Sequence, residues 1–243
     1  MTGVLIIPLV IWRSKKKITH NLHVIHRQQN KGKTEAVLVG IRYVLESLSN
    51  TEFIVQMDAD LAHHPDDIEG FLNENTLLDM VVGNRYSRYR KTDEHRSCVM
   101  SLASMTIAAA TGFRLNDPMC GYRRYSASLA SIFAENLGQH GYGIETEQLT
   151  LCSMHGYTVG EHDLSVVIPQ DIKTKAIEFI DVFRALIAYS SQLKINSELV
   201  SSMKDSVNHL VVRKDFVFSL IGKNAYFQYV PYEDSYALKW IKN

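Results

Sequence analysis

Apolar and polar positions fall into blocks along the chain that predict short strands alternating with helices. The first block, Gly3 to Trp12, is an apolar run containing Pro8 and reads as a buried strand, with a solvated basic turn after it at Arg13, Lys15, Lys16 and Lys17. Leu22 to His26 is the next strand candidate and Asn30-Lys-Gly-Lys33 a turn. From Thr34 to Ser47 the apolar positions Val37, Val39, Ile41, Val44 and Leu45 lie close to helical spacing. Phe53 to Met57 predicts a strand. Pro65 followed by Asp66, Asp67 and Glu69 predicts a helix start, because proline is tolerated in the first turn and carboxylates suit the positive end of the helix dipole. Asp79 to Val82 predicts a strand ending at Gly83, and Arg96 to Thr111 a helix closed by Gly112. Asp117 to Tyr125 reads as a tight segment leading to a helix near Ser128. Gly143 opens a helix carrying Glu145 and Glu147, and Tyr157 to Glu161 is a strand. Ala176 to Leu193 is an amphipathic helix, with Ile177, Ile180, Phe183, Ile187 and Leu193 toward one side. Phe216 to Ile221 and Ala225 to Val230, joined by Gly222-Lys-Asn224, predict a hairpin.

This alternation is expected of an α/β domain, a mostly parallel sheet flanked by helices, over residues 1–195, with a small accessory segment carrying the hairpin over 196–243. The composition agrees. A chain of 243 residues with 46% hydrophobic and 21% charged side chains is neither disordered nor fibrous and fits one globular domain with at most a small appendage. Lys+Arg and Asp+Glu both total 26, so the net charge is zero and nucleic acid is not an expected partner; any anion site must be local. Cys98, Cys120 and Cys152 are an odd number without C-x-x-C spacing, which points to small core hydrophobes in a reducing compartment. The Gly3 to Trp12 run is about half of a membrane span. Basic residues follow it, the reverse of a signal peptide's order, so the alternative to a buried strand is a shallow anchor at a membrane surface.

Candidate chemistry begins at Asp58-Ala-Asp60. A strand that delivers two carboxylates at its C-terminal end puts them at the edge where open α/β sheets bind ligands. Both can reach one Mg2+ or Mn2+ ion, which accepts such oxygens together with substrate phosphates. Glu145 and Glu147 are candidates for a general base or for stabilising a helix N-terminus. His63 and His64 flank the acidic pair, Arg88, Arg90 and Lys91 read as a solvated loop, and Lys173 and Lys175 as solvated lysines or as a cover over a diphosphate.

Asn30-Lys-Gly-Lys33, Met57-Asp-Ala-Asp-Leu-Ala-His-His-Pro65, Gly83-Asn-Arg-Tyr86, Asp117-Pro-x-x-Gly-Tyr-Arg-Arg-Tyr125 and Gly156-Tyr-Thr-Val-Gly-Glu161 stand in an order and spacing that resembles dolichyl-phosphate mannose synthases and related polyprenyl-phosphate glycosyltransferases, over roughly Leu22 to Val167. The resemblance implies a GT-A, Rossmann-like fold. It implies inverting, metal-dependent transfer of one sugar from a nucleotide-diphosphate sugar to a polyprenyl phosphate, at the cytoplasmic membrane face, through peripheral contact or a membrane-anchored partner subunit. Carried across by motif, Asp58 and Asp60 are the metal and donor-diphosphate carboxylates, with His162 as a candidate late metal ligand. Asp60 and Arg85 are the expected catalytic residues, and Arg123 binds the donor diphosphate beside Asp117. Arg96, with Ser97 or Ser101, meets the acceptor phosphate. Guanidinium groups suit these tasks because their planar fork stays charged and holds two oxygens at once.

The chain departs from this pattern near its start. Ile6-Ile7-Pro8 is not followed by the family's Asn-Glu, and the Asp-Asp-Gly-Ser turn that helps to hold the nucleotide base is absent. A shortened base pocket is therefore expected, with weak discrimination between nucleotide bases. It leaves open two other readings, a catalytically weak paralogue that serves as a binding or assembly module and a glycosyltransferase with a hydroxyl acceptor.

Overall fold

The computed structural model describes residues 3–11, 19–48, 50–58, 63–85, 94–138, 143–165, 176–195, 197, 200–201, 203–204, 226–232 and 235–241. Strands β1 (Gly3–Ile11) and β2 (Thr19–Arg27) pair antiparallel as a two-stranded ribbon, from Gly3 opposite Arg27 to Ile11 opposite Thr19. Tyr43 Oη lies 2.6 Å from His23 Nδ1 and ties the ribbon to helix α1 (Gly32–Ser47). That helix starts where Asn30 accepts the Gly32 N–H at 3.0 Å, with Gly32 at φ 87°, a left-handed conformation that favours glycine. It buries Thr34, Leu38, Ile41 and Val44 along one face.

The central sheet has four strands in the order β3 (Phe53–Gln56), β5 (Arg123–Ser126), β4 (Met80–Asn84), β6 (Val159–Asp163). Only β4 and β6 run parallel; β5 is antiparallel to both β3 and β4. The α/β class is as expected, but the sheet is mixed rather than mostly parallel. The difference comes from β5, whose residues 123–125 fall in the sequence's tight segment Asp117 to Tyr125. Its Arg123-Arg124 pair lacks the apolar signature of a central strand, yet both arginines are fully buried. Every residue of β4 is buried, as a strand covered on both faces requires.

Helix α2 (Asp67–Asn73) follows the Pro65 turn with Asp67 and Glu69 in its first turn. Helix α3 (Glu94–Thr111) ends where Gly112, at φ 82°, donates its N–H to Ala108 O at 2.9 Å. The Ser126 side chain caps helix α4 (Ala127–Asn136) by accepting the Leu129 N–H at 3.3 Å. Helix α5 (Ile144–His155) is buried from Ile144 to Cys152 and stops at Gly156, φ 74°. Helix α6 (Ala176–Ala188) packs on α5 and α3, and is shorter than expected at its C-terminal end. Successive β5 side chains point to opposite faces, so Arg123 reaches α5 and Arg124 reaches the end of α2. The core, including Phe71, Met80, Val82, Ile107, Phe133 and Phe183, fills the space around the sheet.

Strands β7 (Tyr226–Tyr232) and β8 (Ser235–Ile241) form the C-terminal hairpin, and β8 lies along α3. Tyr226 onward is a strand as expected, but its partner is Ser235–Ile241, where apolar Tyr236, Leu238 and Trp240 alternate with other residues. The other expected strand, Phe216 to Ile221, and the Gly222-Lys-Asn224 turn lie outside the described residues. No helix among the described residues is long and apolar enough to cross a membrane.

Candidate active site

Asp58 lies just beyond the C-terminal end of β3. Its N–H donates to His63 Nδ1 at 3.0 Å, which requires that ring nitrogen to be unprotonated. His63 is itself buried, stacked on Tyr122 with ring centroids 5.0 Å apart, and its Nε2 is 3.8 Å from Cys120 Sγ. The Asp58 carboxylate meets Lys33 Nζ, in the first turn of α1, at 2.9 Å from either oxygen. The same ammonium lies 2.6 Å from Glu145 Oε1, in the first turn of α5. One cation therefore sits between two carboxylates from distant parts of the chain. A Cβ at Gly121 would lie 2.6 Å from Asp58 Oδ2 and 2.8 Å from Lys33 Nζ, so glycine there gives the cluster its room.

The charges explain the titration of the group. Burial alone would lower the Lys33 pKa, but Glu145 and Asp58 outweigh it and hold the ammonium above its ordinary value. Burial alone would raise the Asp58 pKa, and the Lys33 ammonium, with the Arg85 guanidinium, brings it below the usual carboxylate range.

A second cluster stands at the end of β4. Arg85 directs its backbone N–H and its Nε to Asp117 Oδ2 at 3.0 and 2.7 Å, and Nη2 to Oδ1 at 3.1 Å. Asp117 is fully buried. Glu161, on β6, accepts the Asn116 and Asp117 N–H groups at 2.7 and 2.9 Å and the Asn116 side-chain amide at 2.8 Å. A carboxylate on one strand thus fixes the loop that fixes the arginine on its neighbour.

Arg123, expected at the donor diphosphate, is turned inward. Its guanidinium is fully buried and donates to Cys120 O, Pro118 O, Glu145 O and Gln148 Oε1 at 2.5 to 3.1 Å. It joins the Asp117 loop to α5 and stands behind the site. Arg124 donates to Phe71 O, Glu74 O, Asn75 O and Leu78 O and satisfies carbonyls in the last turn of α2 and beyond it. Glu147 accepts from Gly138 N–H and from the Tyr189 hydroxyl, at 2.8 and 2.6 Å. His162 pairs through Nδ1 with Glu74 at 2.7 Å, and a Cβ at Gly70 would lie 2.3 Å from its Nε2. The α2 backbone therefore covers that nitrogen, and His162 makes no hydrogen bond to Asp58 among the described residues. His64 lies beside Asp66 at 3.4 Å. Cys120 and Cys152 are free, buried thiols, as expected, and burial pushes both up to about 12.

Arg96 and Ser97 are in the first turn of α3 and Ser101 is about one turn further on; their side chains lie outside the described residues. Asp60, Arg88, Arg90, Lys91, Lys173 and Lys175 also lie outside them. Among the described residues no three His, Cys, Asp or Glu side chains are grouped as a metal cage. The donor chemistry nevertheless suits a hard divalent ion that is shared with a substrate's phosphates, which needs only one or two protein carboxylates. Lys33 Nζ, within 3 Å of both Asp58 and Glu145, marks a point where this chain already holds positive charge.

Three residues of the site carried no assigned role in the sequence reading. Lys33 had a signal, since a lysine in the first turn of a helix opposes the dipole and calls for a compensating carboxylate. Glu161 and Gly121 lay inside quoted motifs, but their partners are 44 and 63 residues away in the chain, beyond any local pattern.

Residues 11–128 match Glycosyl transferase family 2. An undecaprenyl-phosphate mannosyltransferase from Micrococcus luteus is 26% identical over 60% of this chain and 61% of its own length. A UDP-N-acetylglucosamine--dolichyl-phosphate N-acetylglucosaminyltransferase from Methanococcus voltae is 25% identical over 59% of this chain and 58% of its own. The chain thus spans about three fifths of the length of these curated relatives. The solved structure of glucosyl-3-phosphoglycerate synthase from Mycobacterium tuberculosis with Mn2+ and uridine-diphosphate-glucose is 18% identical with a TM-score of 0.45, over 86% of this chain and 62% of that one. The segment similar to glycosyl transferase family 2 carries α1, β3, β4 and β5 and with them Lys33, Asp58, Arg85 and Asp117.

Proposed function

We propose that the protein transfers one sugar, with inversion, from a nucleotide-diphosphate sugar to a polyprenyl phosphate at the cytoplasmic membrane face. The observation that carries this reading is the pair of ionic clusters at the ends of β3 and β4, the two strands that flank β5 in one sheet. Asp58 and Arg85 lie close enough for the arginine's charge to lower the carboxylate's pKa, inside the segment that matches the glycosyltransferase family. The activities for which the two relatives are named support the acceptor class.

In this reading Asp58 and Asp60 are the residues that would hold a Mg2+ or Mn2+ ion at the donor diphosphate. The ion supplies neutralisation of the charge that builds on the departing diphosphate. Arg85, kept in one orientation by Asp117, faces the same phosphates. Arg123 leaves the list of phosphate contacts and becomes a positioning residue for the Asp117 loop and α5. Arg96, with Ser97 or Ser101, receives the acceptor phosphate at the start of α3, where the helix N-terminus favours an anion. A phosphate oxygen of the acceptor attacks the anomeric carbon from the face opposite the diphosphate. The bond from that carbon to the diphosphate oxygen breaks, and its electron pair leaves with the nucleotide. The nucleophile is already anionic, so no strong base is needed. Glu145 agrees with this, because its carboxylate is buried against Lys33 rather than held out toward a hydroxyl. Membrane association follows from the acceptor, through peripheral contact or a membrane-anchored partner.

The test is transfer from labelled nucleotide sugars to a polyprenyl phosphate in detergent or vesicles with Mn2+ present. A sugar-phosphoprenol product that Arg96→Ala reduces through acceptor KM or kcat, with donor affinity little changed, is the expected result. Transfer only to a hydroxyl acceptor, or an equal loss of donor affinity in Arg96→Ala, contradicts it.

A further inference from the structure

The Lys33 ammonium stands against the Asp58 carboxylate, where a cation held by that carboxylate would sit. It touches both oxygens of Asp58 at 2.9 Å while holding Glu145 at 2.6 Å. Its side chain is 26% exposed and that of Asp58 31%, so the contact between them opens to solvent, whereas the Glu145 side chain is 5% exposed. Lys33 is therefore anchored on its buried side and exchangeable on its open side. A lysine is a compact point charge on a flexible stem, and it can leave one oxygen without leaving the other.

We propose that Lys33 is an internal counter-ion that competes with the divalent cation for Asp58, and that it makes cation binding depend on the nucleotide diphosphate. With no ligand, Lys33 neutralises Asp58, and a divalent cation must displace it. Displacement leaves the ammonium beside the incoming ion, two positive charges at one carboxylate, which disfavours the cation alone. A diphosphate changes the balance, because its oxygens ligate the cation and also give Lys33 a new anionic partner while Glu145 keeps its hold. Cation and nucleotide then bind as a coupled pair, each raising the affinity for the other by the same factor. No proton is transferred and no bond to carbon changes. Gly121 fits this arrangement, since a side chain there would occupy the space into which Asp58 and Lys33 separate.

The inference rests on the proposed metal-diphosphate site, and the experiment separates the two. Mn2+ binding to the whole chain is measured by calorimetry or by the electron paramagnetic resonance of free Mn2+, alone and with saturating UDP or GDP, for the native protein and for Lys33→Met, Lys33→Gln and Lys33→Arg. Native protein should bind Mn2+ weakly alone and at least tenfold more tightly with nucleotide, about 1.4 kcal/mol of coupling. Both neutral variants should bind Mn2+ alone at least tenfold more tightly than the native protein and lose most of the enhancement by nucleotide, while Lys33→Arg keeps the native pattern. Neutral variants that bind Mn2+ alone no better than the native protein, with native protein still binding Mn2+ and nucleotide together, overturn the role of Lys33 and leave the site. Native protein that binds no Mn2+ even with nucleotide overturns both. The two neutral variants differ in polarity, so one that fails to fold leaves the other to decide.

Discussion

The clusters at the ends of β3 and β4 use the same charges in opposite ways. Around Asp58 a single lysine, partly exposed, is shared between two carboxylates. Around Asp117 a planar guanidinium meets one fully buried carboxylate through two of its nitrogens, the arginine's own backbone N–H adds a third bond, and Glu161 braces the loop from behind. A point charge on a flexible stem can be exchanged for another cation; a fork held at several points in a buried setting cannot be removed without leaving a charge unpaired. The difference separates a binding position from a fixed wall beside it.

Breaking the fixed cluster should have the largest effect. Asp117→Ala removes the partner of Arg85 inside the protein and should cost about 3–5 kcal/mol of stability in denaturant unfolding; a loss under about 1 kcal/mol would mean that Arg85 finds another partner or reaches water. Filling the space of the exchangeable cluster comes next. Gly121→Ala sets a methyl 2.6 Å from Asp58 Oδ2, and overpacking of this kind costs about 1–3 kcal/mol. Because Lys33 can swing aside more easily than Asp58, nucleotide affinity should fall as well, and a variant with native binding would show that the cluster separates without using that space.

Glu161→Gln keeps the shape of the brace and removes its charge. Stability should fall by about 1–2 kcal/mol, and kcat should fall more than donor KM changes, since Arg85 loses orientation rather than the site losing substrate contact. Equal native kinetics would reduce Glu161 to a purely structural role. The smallest effect is on pH dependence. Asp58 has a lowered pKa in the folded protein, so its contribution to stability is present above the ordinary carboxylate range and is lost as the pH falls through its folded value. Lys33 is raised, so its contribution is present below the ordinary lysine range and lost only at strongly alkaline pH. In Lys33→Met the acid loss should shrink; an unchanged acid limb would place the acid-sensitive carboxylate elsewhere.

How far the sequence could be read follows from where each residue finds its partners. Helix α1 and strand β4 were legible because their apolar spacing alone defines the buried face. The turn at Gly112 and the start of α2 at Pro65 were legible because backbone conformation is set locally. Strand β5 was not, since a run of Arg123 and Arg124 is a surface pattern until their acceptors, carbonyls at 71, 74, 75 and 78 for one and at 118, 120 and 145 for the other, are brought around them. The same holds at the site. Asp58 and Arg85 could be singled out by motif, whereas the inward turn of Arg123, the Glu74 partner of His162 and the Lys33–Glu145 contact across 112 residues depend on tertiary placement.

The direct test of the site is calorimetric titration of UDP or GDP into native protein and Asp60→Asn at matched Mn2+ concentration. If the end of β3 holds the cation and the donor diphosphate, native protein binds nucleotide in a Mn2+-dependent way, and Asp60→Asn weakens that binding at least tenfold, about 1.4 kcal/mol, with an unchanged Tm. Mn2+-dependent binding that is the same in both proteins would contradict it.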